Sequence, residues 1–193
     1  MHAIIIKSPN RCIKSILNSL PSHWKISVID DPKTFGKDKF WIRFNQAFDI
    51  CRNSKSDRFV ILPDDISFID SYAMERMNLN GVIISPQTDH RVNQWQGNAS
   101  GLIISIDNGY HIKDIGFNDG ITMFDRSVID KLPVLKEMSI EWRQRHQSSG
   151  VGYQITKHFR NIGIPMLGTI PSLVFHGEHE SVMHPDERKR TPL

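Results

Sequence analysis

Cysteine is scarce in this chain of 193 residues, which contains only Cys12 and Cys51. Two cysteines so far apart give neither a disulfide framework nor the spacing of a zinc site, and a reduced, cytoplasmic compartment is predicted, with both cysteines in helices. Long apolar runs are missing too, since none approaches the roughly 20 residues of a membrane span. The opening MHAIIIKSPN lacks the basic region and long apolar stretch of a signal peptide and is predicted to begin the fold.

A strong charge of either sign is also absent. Lys and Arg number 24 against 21 Asp and Glu, so the formal net charge is +3. This balance permits a polyanionic partner without requiring one. A hydrophobic content of 39% and a charged content of 23% are typical of a globular protein. With no internal repeat or linker, the length predicts one domain over residues 1–193.

Glycine-rich phosphate-binding signatures are absent, which argues against a dinucleotide-binding or P-loop protein. The chain instead opens with apolar strands at residues 3–6, 24–29 and 59–62, separated by helical spacing at residues 8–20 and 39–51. This β-α-β-α-β order predicts a parallel sheet with right-handed crossovers. Later segments predict further elements, some antiparallel: strands at 81–85, 102–106, 111–115, 120–124 and 166–170, and helices at 126–132 and 152–161. The predicted fold class is α/β, with a mixed, mostly parallel central sheet flanked by helices.

The most informative segment is RFVILPDDISF, residues 58–68. Its unbroken apolar run predicts a strand buried on both faces, and Pro63 ends that strand because proline cannot donate to a central ladder. Asp64 and Asp65 then fall at the carboxyl edge of the sheet, where α/β proteins bind ligands. Two adjacent carboxylates can hold Mg²⁺ or Mn²⁺ together with the phosphates of a ligand. The alternative is that they only cap a turn.

The turn Lys7-Ser8-Pro9-Asn10-Arg11 follows the first strand. A loop that leads from a strand into a helix can bind an anion through free N–H groups, so this turn is a second candidate site. The alternative is that Lys7 and Arg11 are ordinary solvated surface charges.

Together, the α/β opening, the helix containing Asn45, the LPDDISF strand and the later IPSLVFHGEHESVMHP segment resemble nucleotide-sugar glycosyltransferases of the GT-A fold. Such enzymes end this strand with an acidic DxD-type motif that holds a divalent metal on the donor diphosphate. The resemblance assigns the metal to Asp65 and His176. The chain departs from the family pattern at Pro63, which stands where the first acidic residue is expected.

The same resemblance implies a donor site and a closing tail. It adds Asp30, Arg43 and Asn45 to Lys7, Ser8, Arg11 and Asp64 as residues that contact the nucleotide sugar. Residues 176–193 would close over the donor phosphates through Ser181, Arg188, Lys189 and Arg190. The implied activity is transfer of a sugar, most simply from a UDP-sugar, to an acceptor hydroxyl. The acceptor could be a glycan or a modified DNA base, in a bacterial cytoplasm or in that of a phage host.

The chain lacks a carboxylate at the position where GT-A families often have the base that deprotonates the acceptor. GT-A families often place a carboxylate before the last helix, but residues 144–159 contain none. Asp119 and Asp114 are the remaining candidates, Glu141 and His146 are weaker ones, and a retaining mechanism without such a base stays open. Asp119 could equally be a turn residue.

Several alternative functions and sites are compatible with the same residues. A nucleotidyltransferase of related topology would use the same carboxylates but needs a glycine-rich loop that SPNRC does not supply. A non-catalytic α/β binding module would use Asp64 and Asp65 only as caps. Zinc at His176, Glu178, His179 and His184 would require an unusual ligand spacing. Trp95 could stack on a sugar or a base, or fold into the core.

Overall fold

The structure of the protein is a computed structural model. It describes residues 1–31, 39–77, 79–86, 103–107, 110–115, 121–146 and 148–176, with the backbone alone at 103–107, 110–114 and 176.

Ten strands and five α-helices follow one another along the described chain. The strands are β1 (His2–Lys7), β2 (Lys25–Asp30), β3 (Arg58–Pro63), β4 (Ile66–Phe68), β5 (Ile83–Ser85), β6 (Ile103–Asp107), β7 (Tyr110–Asp114), β8 (Thr122–Asp125), β9 (Met166–Ile170) and β10 (Val174–His176). The helices are α1 (Lys14–Ser19), α2 (Phe40–Asn53), α3 (Ser71–Arg76), α4 (Ile140–His146) and α5 (Val151–Asn161), with a 3₁₀ helix at Arg126–Lys131.

Eight of the strands form one mixed sheet in the order β2-β1-β3-β8-β5-β9-β7-β6, while β4 and β10 form a separate two-stranded sheet. Six of the eight run in the same direction, because only β8 and β7 are antiparallel to both of their neighbours. Helices flank this sheet. The predicted mixed, mostly parallel α/β class is confirmed, as is the parallel opening of β2, β1 and β3.

The central strands are buried on both faces because their side chains alternate between two apolar layers. In β1, Ile4 and Ile6 pack in a core with α2 and α5, whereas Ala3 and Ile5 pack with α1 and α3. The four-residue apolar run of β3 divides in the same way, and every member is fully buried. Burial on both faces is why this strand reads as a continuous apolar run and not as an alternating one.

Most predicted elements are present within a few residues of their expected bounds, but four short elements are missing from the prediction. They are β4, α3, α4 and β10, each with three to seven residues. Segments this short hold too few periods for an apolar pattern to emerge. The placement of Cys12 in a helix is wrong: it is exposed and precedes α1, because a tight turn at Pro9 and Asn10 delays the helix.

Within the described part of the chain, no helix has the length and hydropathy needed to cross a membrane.

His2 predicts a pH dependence of stability. Its buried ring bonds Ser54 Oγ through Nδ1 (2.8 Å) and Ser27 Oγ through Nε2 (2.9 Å). Burial and the nearby Lys25 charge lower the pKa of His2 to about 4 from 6.5. Between these values the unfolded chain binds the proton and the folded protein does not, so the free energy of unfolding falls as the pH falls, by about 3 kcal/mol in total.

Urea unfolding at pH 7.5 and at pH 4.5 measures this difference. The variant His2→Gln should lose most of it, whereas the exposed His146, replaced in His146→Gln, is the matched control and should leave the difference as in wild type. An unchanged pH dependence in His2→Gln would contradict the assignment to His2.

Candidate functional site

The carboxyl ends of three parallel strands meet at one edge of the sheet. Lys7 at the end of β1 pairs in register with Asp30 at the end of β2, and Ile6 pairs with Pro63 at the end of β3. The residues that follow these strands therefore converge at this edge, as the sequence predicts. Ligands of open α/β sheets bind at the carboxyl ends of such strands.

Asp64 is the buried anchor of this edge. Its carboxylate Oδ2 accepts a hydrogen bond from the backbone N–H of Ser8 (2.5 Å) and lies 3.9 Å from Nε of Arg11. The residue is 8% exposed. The predicted anion-binding turn after β1 thus already binds an anion, and that anion is the side chain of Asp64.

The turn owes its shape to Pro9 and Asn10. The carbonyl of Ser8 accepts from the N–H of Arg11 (3.3 Å), and Asn10 has a positive φ of 58°. Proline at the second turn position and asparagine in a left-handed conformation at the third are typical of a type II turn. This geometry presents the Ser8 N–H and the Arg11 side chain to the end of β3.

Opposing effects act on the pKa of Asp64. Burial raises the pKa of this carboxyl group and has the largest effect, and the adjacent Asp65 adds to it, while the Ser8 N–H and the Arg11 charge lower it. The net direction is upward. The predicted repulsion between the two aspartates is thus eased partly by Ser8 and Arg11, before any cation is considered.

Asp65 occupies the adjoining position with a different environment. It is half-buried, and its Oδ1 is shielded from solvent. The next residue begins β4, whose partner is β10, and in that pairing His176 lies directly opposite Ile66. The backbones of the two predicted metal ligands, far apart in sequence, are therefore brought to neighbouring positions.

Two ion pairs border this edge. Lys7 Nζ donates to Asp30 Oδ1 (2.7 Å), where the aspartate side chain is 68% exposed, so the pair adds little stability. Arg43 donates to Asp31 Oδ1 (2.9 Å) in a more buried setting. Lys7 has an exposed partner and is free to turn toward a ligand, whereas Arg43 is held by Asp31 and by Gln46 Oε1, which accepts from its Nη1 at 2.9 Å.

Asn45 has a structural contact on another part of α2. Its side-chain amide donates to the carbonyl of Leu135, and its side-chain oxygen accepts from the N–H of Leu135, both at 2.9 Å. The two bonds fix the segment after the 3₁₀ helix against α2. We therefore assign Asn45 this structural contact, and its part in donor binding stays a prediction.

The structure does not bring Asp114 to the two aspartates. Its backbone pairs with Leu167 of β9, and β7 stands four strands from β3 in the sheet. At the usual spacing between strands this is about 19 Å. We propose no part for Asp114 in chemistry at Asp65.

Other predicted residues lie outside the described part of the chain. They are Trp95, Asp119, Glu178, His179, Ser181, His184, Arg188, Lys189 and Arg190. The described part contains no group of three or more histidine, cysteine, aspartate or glutamate residues that could hold a metal ion.

The residue types at this edge nevertheless fit a hard cation that is coordinated partly by the protein and partly by the phosphates of a substrate. Mg²⁺ is commonly held by one or two carboxylates while phosphates and water complete its coordination. Asp65 supplies such a half-buried carboxylate just after β3, and the chain position of His176 is adjacent. Asp64 fits less well, because its Oδ2 is already bound by Ser8.

Sequence reasoning missed two features of this edge. One is the pairing of β4 with β10, whose signal was the pair of short apolar segments ISF and VFH. The other is Asp31, the partner of Arg43, which follows β2 directly. Its only sequence signal was the Asp30-Asp31-Pro32 ending of the strand.

Sequence comparison finds no matching family model and no matching curated protein. Structure comparison finds similarity to A197 from STIV, with a TM-score of 0.52 over 91% of this chain and 85% of that chain, at 12% sequence identity. At this identity the similarity shows a common α/β fold and carries no function by itself.

Proposed function

We propose that the protein is a metal-dependent glycosyltransferase of GT-A type, which moves a sugar from a nucleotide-sugar donor to an acceptor hydroxyl. The observation that carries the proposal is the β4–β10 pairing, which aligns His176 with Ile66 beside Asp65. These are the two positions that the resemblance to GT-A enzymes assigns to the metal. Their proximity is not required by either sequence segment alone.

The positions of the charged residues support a phosphorylated ligand. Lys7 and Arg11 lie on the turn beside Asp64, and Arg43 lies beside the end of β2. Each of these cations has a carboxylate partner and Asp65 is a fourth carboxylate, so a diphosphate would bind at this edge together with a divalent cation; a UDP-sugar is the simplest donor. In this proposal Asp64 positions the turn, while Asp65 and His176 hold Mn²⁺ or Mg²⁺.

The metal would stabilise the negative charge that develops on the departing nucleoside diphosphate. The protein would contribute the carboxylate of Asp65, the imidazole of His176 and the positive side chains of the neighbouring turn. Because Asp64 is fixed by Ser8 and Arg11, the strand end would be preorganised before the donor binds.

A thermal-shift screen tests metal and donor together. UDP-, GDP-, CDP- and TDP-sugars are each added with Mn²⁺, with Mg²⁺ and with EDTA. A ligand at 100 times its Kd stabilises the native state by about 2.7 kcal/mol, which raises the Tm of a domain of this size by about 5–10 °C. We expect such a shift for one nucleotide family, and only with a divalent cation.

Two results would count against the proposal. If no nucleotide sugar raises the Tm with either cation, the donor assignment fails. If the shift is equal with EDTA, the metal assignment fails although nucleotide binding remains. Free UDP and the free sugar serve as controls for which part of the donor is recognised.

A further inference from the structure

Four side chains form a row across the outer surface of helices α4 and α5. On α4, the rings of Trp142 and His146 stack with centroids 4.2 Å apart and planes inclined by 21°. On α5, the Tyr153 centroid lies 5.2 Å from that of Trp142, and Lys157 Nζ lies 5.8 Å from the Tyr153 centroid. Both helices contribute an i,i+4 pair, so the row is continuous. We call these four residues the aromatic strip.

The aromatic strip is accessible to a partner. Helix α4 contains no buried residue, His146 and Lys157 are exposed, and Tyr153 is 37% exposed. Trp142 is half-buried and rests on Gly150, where an added Cβ would lie 3.1 Å from its ring. Gly150 has a φ of 78°, so a side chain at this position would be both crowded and strained. Trp142 thus supports the rings of His146 and Tyr153, and these two rings provide the exposed faces of the strip.

The chain segment that carries the strip is rich in cations. From Trp142 to Gly177 the sequence contains no Asp or Glu, yet it contains Arg143, Arg145, Lys157 and Arg160. The +4 charge of this segment exceeds the +3 net charge of the whole chain. The nearest preceding acids are Glu141, exposed in the first turn of α4, and Glu137, which pairs with Arg143 at 3.5 Å. Arg143 is neutralised by Glu137, so Arg145 and Lys157 are the exposed cations that accompany the exposed rings.

The strip lies level with the edge of the sheet that carries Asp65, on the face of the sheet opposite β4 and β10. Helix α5 joins β9 through a short turn at residues 162–165, so the end of the helix lies beside the start of the strand. Eleven helical residues and five strand residues both span about 16 Å. The first turn of α5, with Tyr153, thus lies level with the carboxyl end of β9. That end is on the same edge as the end of β3, because the two strands run in the same direction.

We propose that the aromatic strip binds single-stranded nucleic acid. Unpaired bases stack on aromatic side chains irrespective of sequence, and their phosphates require cations along the same path. A membrane would use the cations but offers no flat faces to the rings, whereas an anionic glycan would use both and is distinguished by competition in the experiment below. A neutral glycan would gain nothing from the positive charge. The idea that the strip receives the acceptor of an enzyme rests on the proposed function. The idea that the strip binds nucleic acid does not.

Fluorescence anisotropy with a labelled single-stranded oligonucleotide of about 12 nucleotides tests this proposal. The measurement is made at pH 8 over a range of salt concentrations, without metal or donor. His146→Ala should weaken binding by about 5- to 100-fold, the usual loss for one stacking platform, and leave the salt dependence unchanged. Arg145→Gln with Lys157→Gln should make the slope of log K against log salt shallower by about 1.4, since two phosphate contacts are lost.

A matched control carries the same change of charge elsewhere. Lys25→Gln with Lys55→Gln alters two exposed lysines outside the strip and should bind like wild type. All substituted side chains are exposed, and circular dichroism checks that each variant is folded. Equal losses in the control pair, or wild-type binding by His146→Ala, would overturn the proposal.

Two further measurements distinguish nucleic-acid binding from general polyanion binding and from the proposed glycosyltransferase function. An anionic oligosaccharide of equal charge should compete only weakly with the labelled oligonucleotide. If it competes as well as an unlabelled oligonucleotide, the strip binds polyanions in general and the nucleic-acid proposal fails. Asp65→Ala should bind the oligonucleotide normally. If manganese and a nucleotide sugar stabilise the protein while no oligonucleotide binds, the nucleic-acid proposal fails and the proposed glycosyltransferase function stands.

Discussion

Replacing Asp65 with Ala is expected to abolish metal-dependent hydrolysis of the nucleotide sugar while leaving the protein folded. Stabilisation of a leaving group by a bound metal contributes several kcal/mol to a transition state, so the rate should fall about 100- to 1000-fold. The stability should change little, because the side chain is half-buried at the end of β3 and not in the core. The rate of nucleoside diphosphate release in the presence of Mn²⁺ measures the effect.

The neighbouring aspartate provides the sharpest comparison. Asp64→Ala removes the acceptor of the Ser8 N–H and the carboxylate beside Arg11, so it should lower the free energy of unfolding by about 1–3 kcal/mol. The two variants should therefore differ in kind: one loses activity at wild-type stability, and the other loses stability. Urea unfolding of both variants, together with the activity assay, tests whether they differ in this way.

Asp57→Ala is the matched control, because the Asp57 side chain is 95% exposed and lies at the opposite end of β3. It should keep both properties. If Asp65→Ala retains activity within about twofold of wild type, a difference below 0.5 kcal/mol, Asp65 does not hold the metal. If Asp64→Ala alone loses the activity, the metal-binding role belongs to Asp64 instead.

The second large effect is expected in the core. Phe59 of β3 and Phe124 of β8 are fully buried and stack with centroids 5.6 Å apart and planes inclined by 25°. Phe59→Ala should cost about 3–5 kcal/mol, because a large cavity opens between the two central strands and the ring contact is lost. Domains are commonly stable by only about 5–15 kcal/mol, so this variant should unfold at much lower urea.

The milder Phe59→Leu keeps most of the volume and should cost about 1 kcal/mol, which gives a measurement even if the alanine variant does not fold. Tyr72→Ala is the control: this aromatic side chain on α3 is 55% exposed, and its loss should change stability by less than about 0.5 kcal/mol. Equal losses at Phe59 and Tyr72 would show that the two strands do not form the core described here.

The sequence predicted the main features of the fold because they depend on local chemistry. The apolar run of β3 is buried on both faces, and Pro63 ends it, so the location of Asp64 and Asp65 at a carboxyl edge follows directly. The parallel opening follows in the same way from the alternation of strands and helices. The short strands β4 and β10 could not be predicted, since three residues have no detectable period and pair only through tertiary contact.

At the candidate site, too, the sequence and the tertiary structure determine different things. The residue types near Asp65 could be read from the sequence, but their partners could not. Asp64 is fixed by Ser8, Lys7 pairs with Asp30, and Asn45 holds Leu135. Each contact joins residues that are distant in sequence and brought together only when the sheet and its helices pack.

The sequence by itself determined the α/β class, the ends of the central strands and the presence of two carboxylates after β3, because burial, periodicity and proline act within a few residues. Only the tertiary structure decided that His176 lies opposite Ile66, that the carboxylate of Asp64 is bound by the turn after β1, and that Trp142 and Tyr153 form one strip. The first two contacts join segments far apart in the chain, so they depend on the packing of the whole sheet. The third depends on how two consecutive helices pack and not on the preferences of either helix alone.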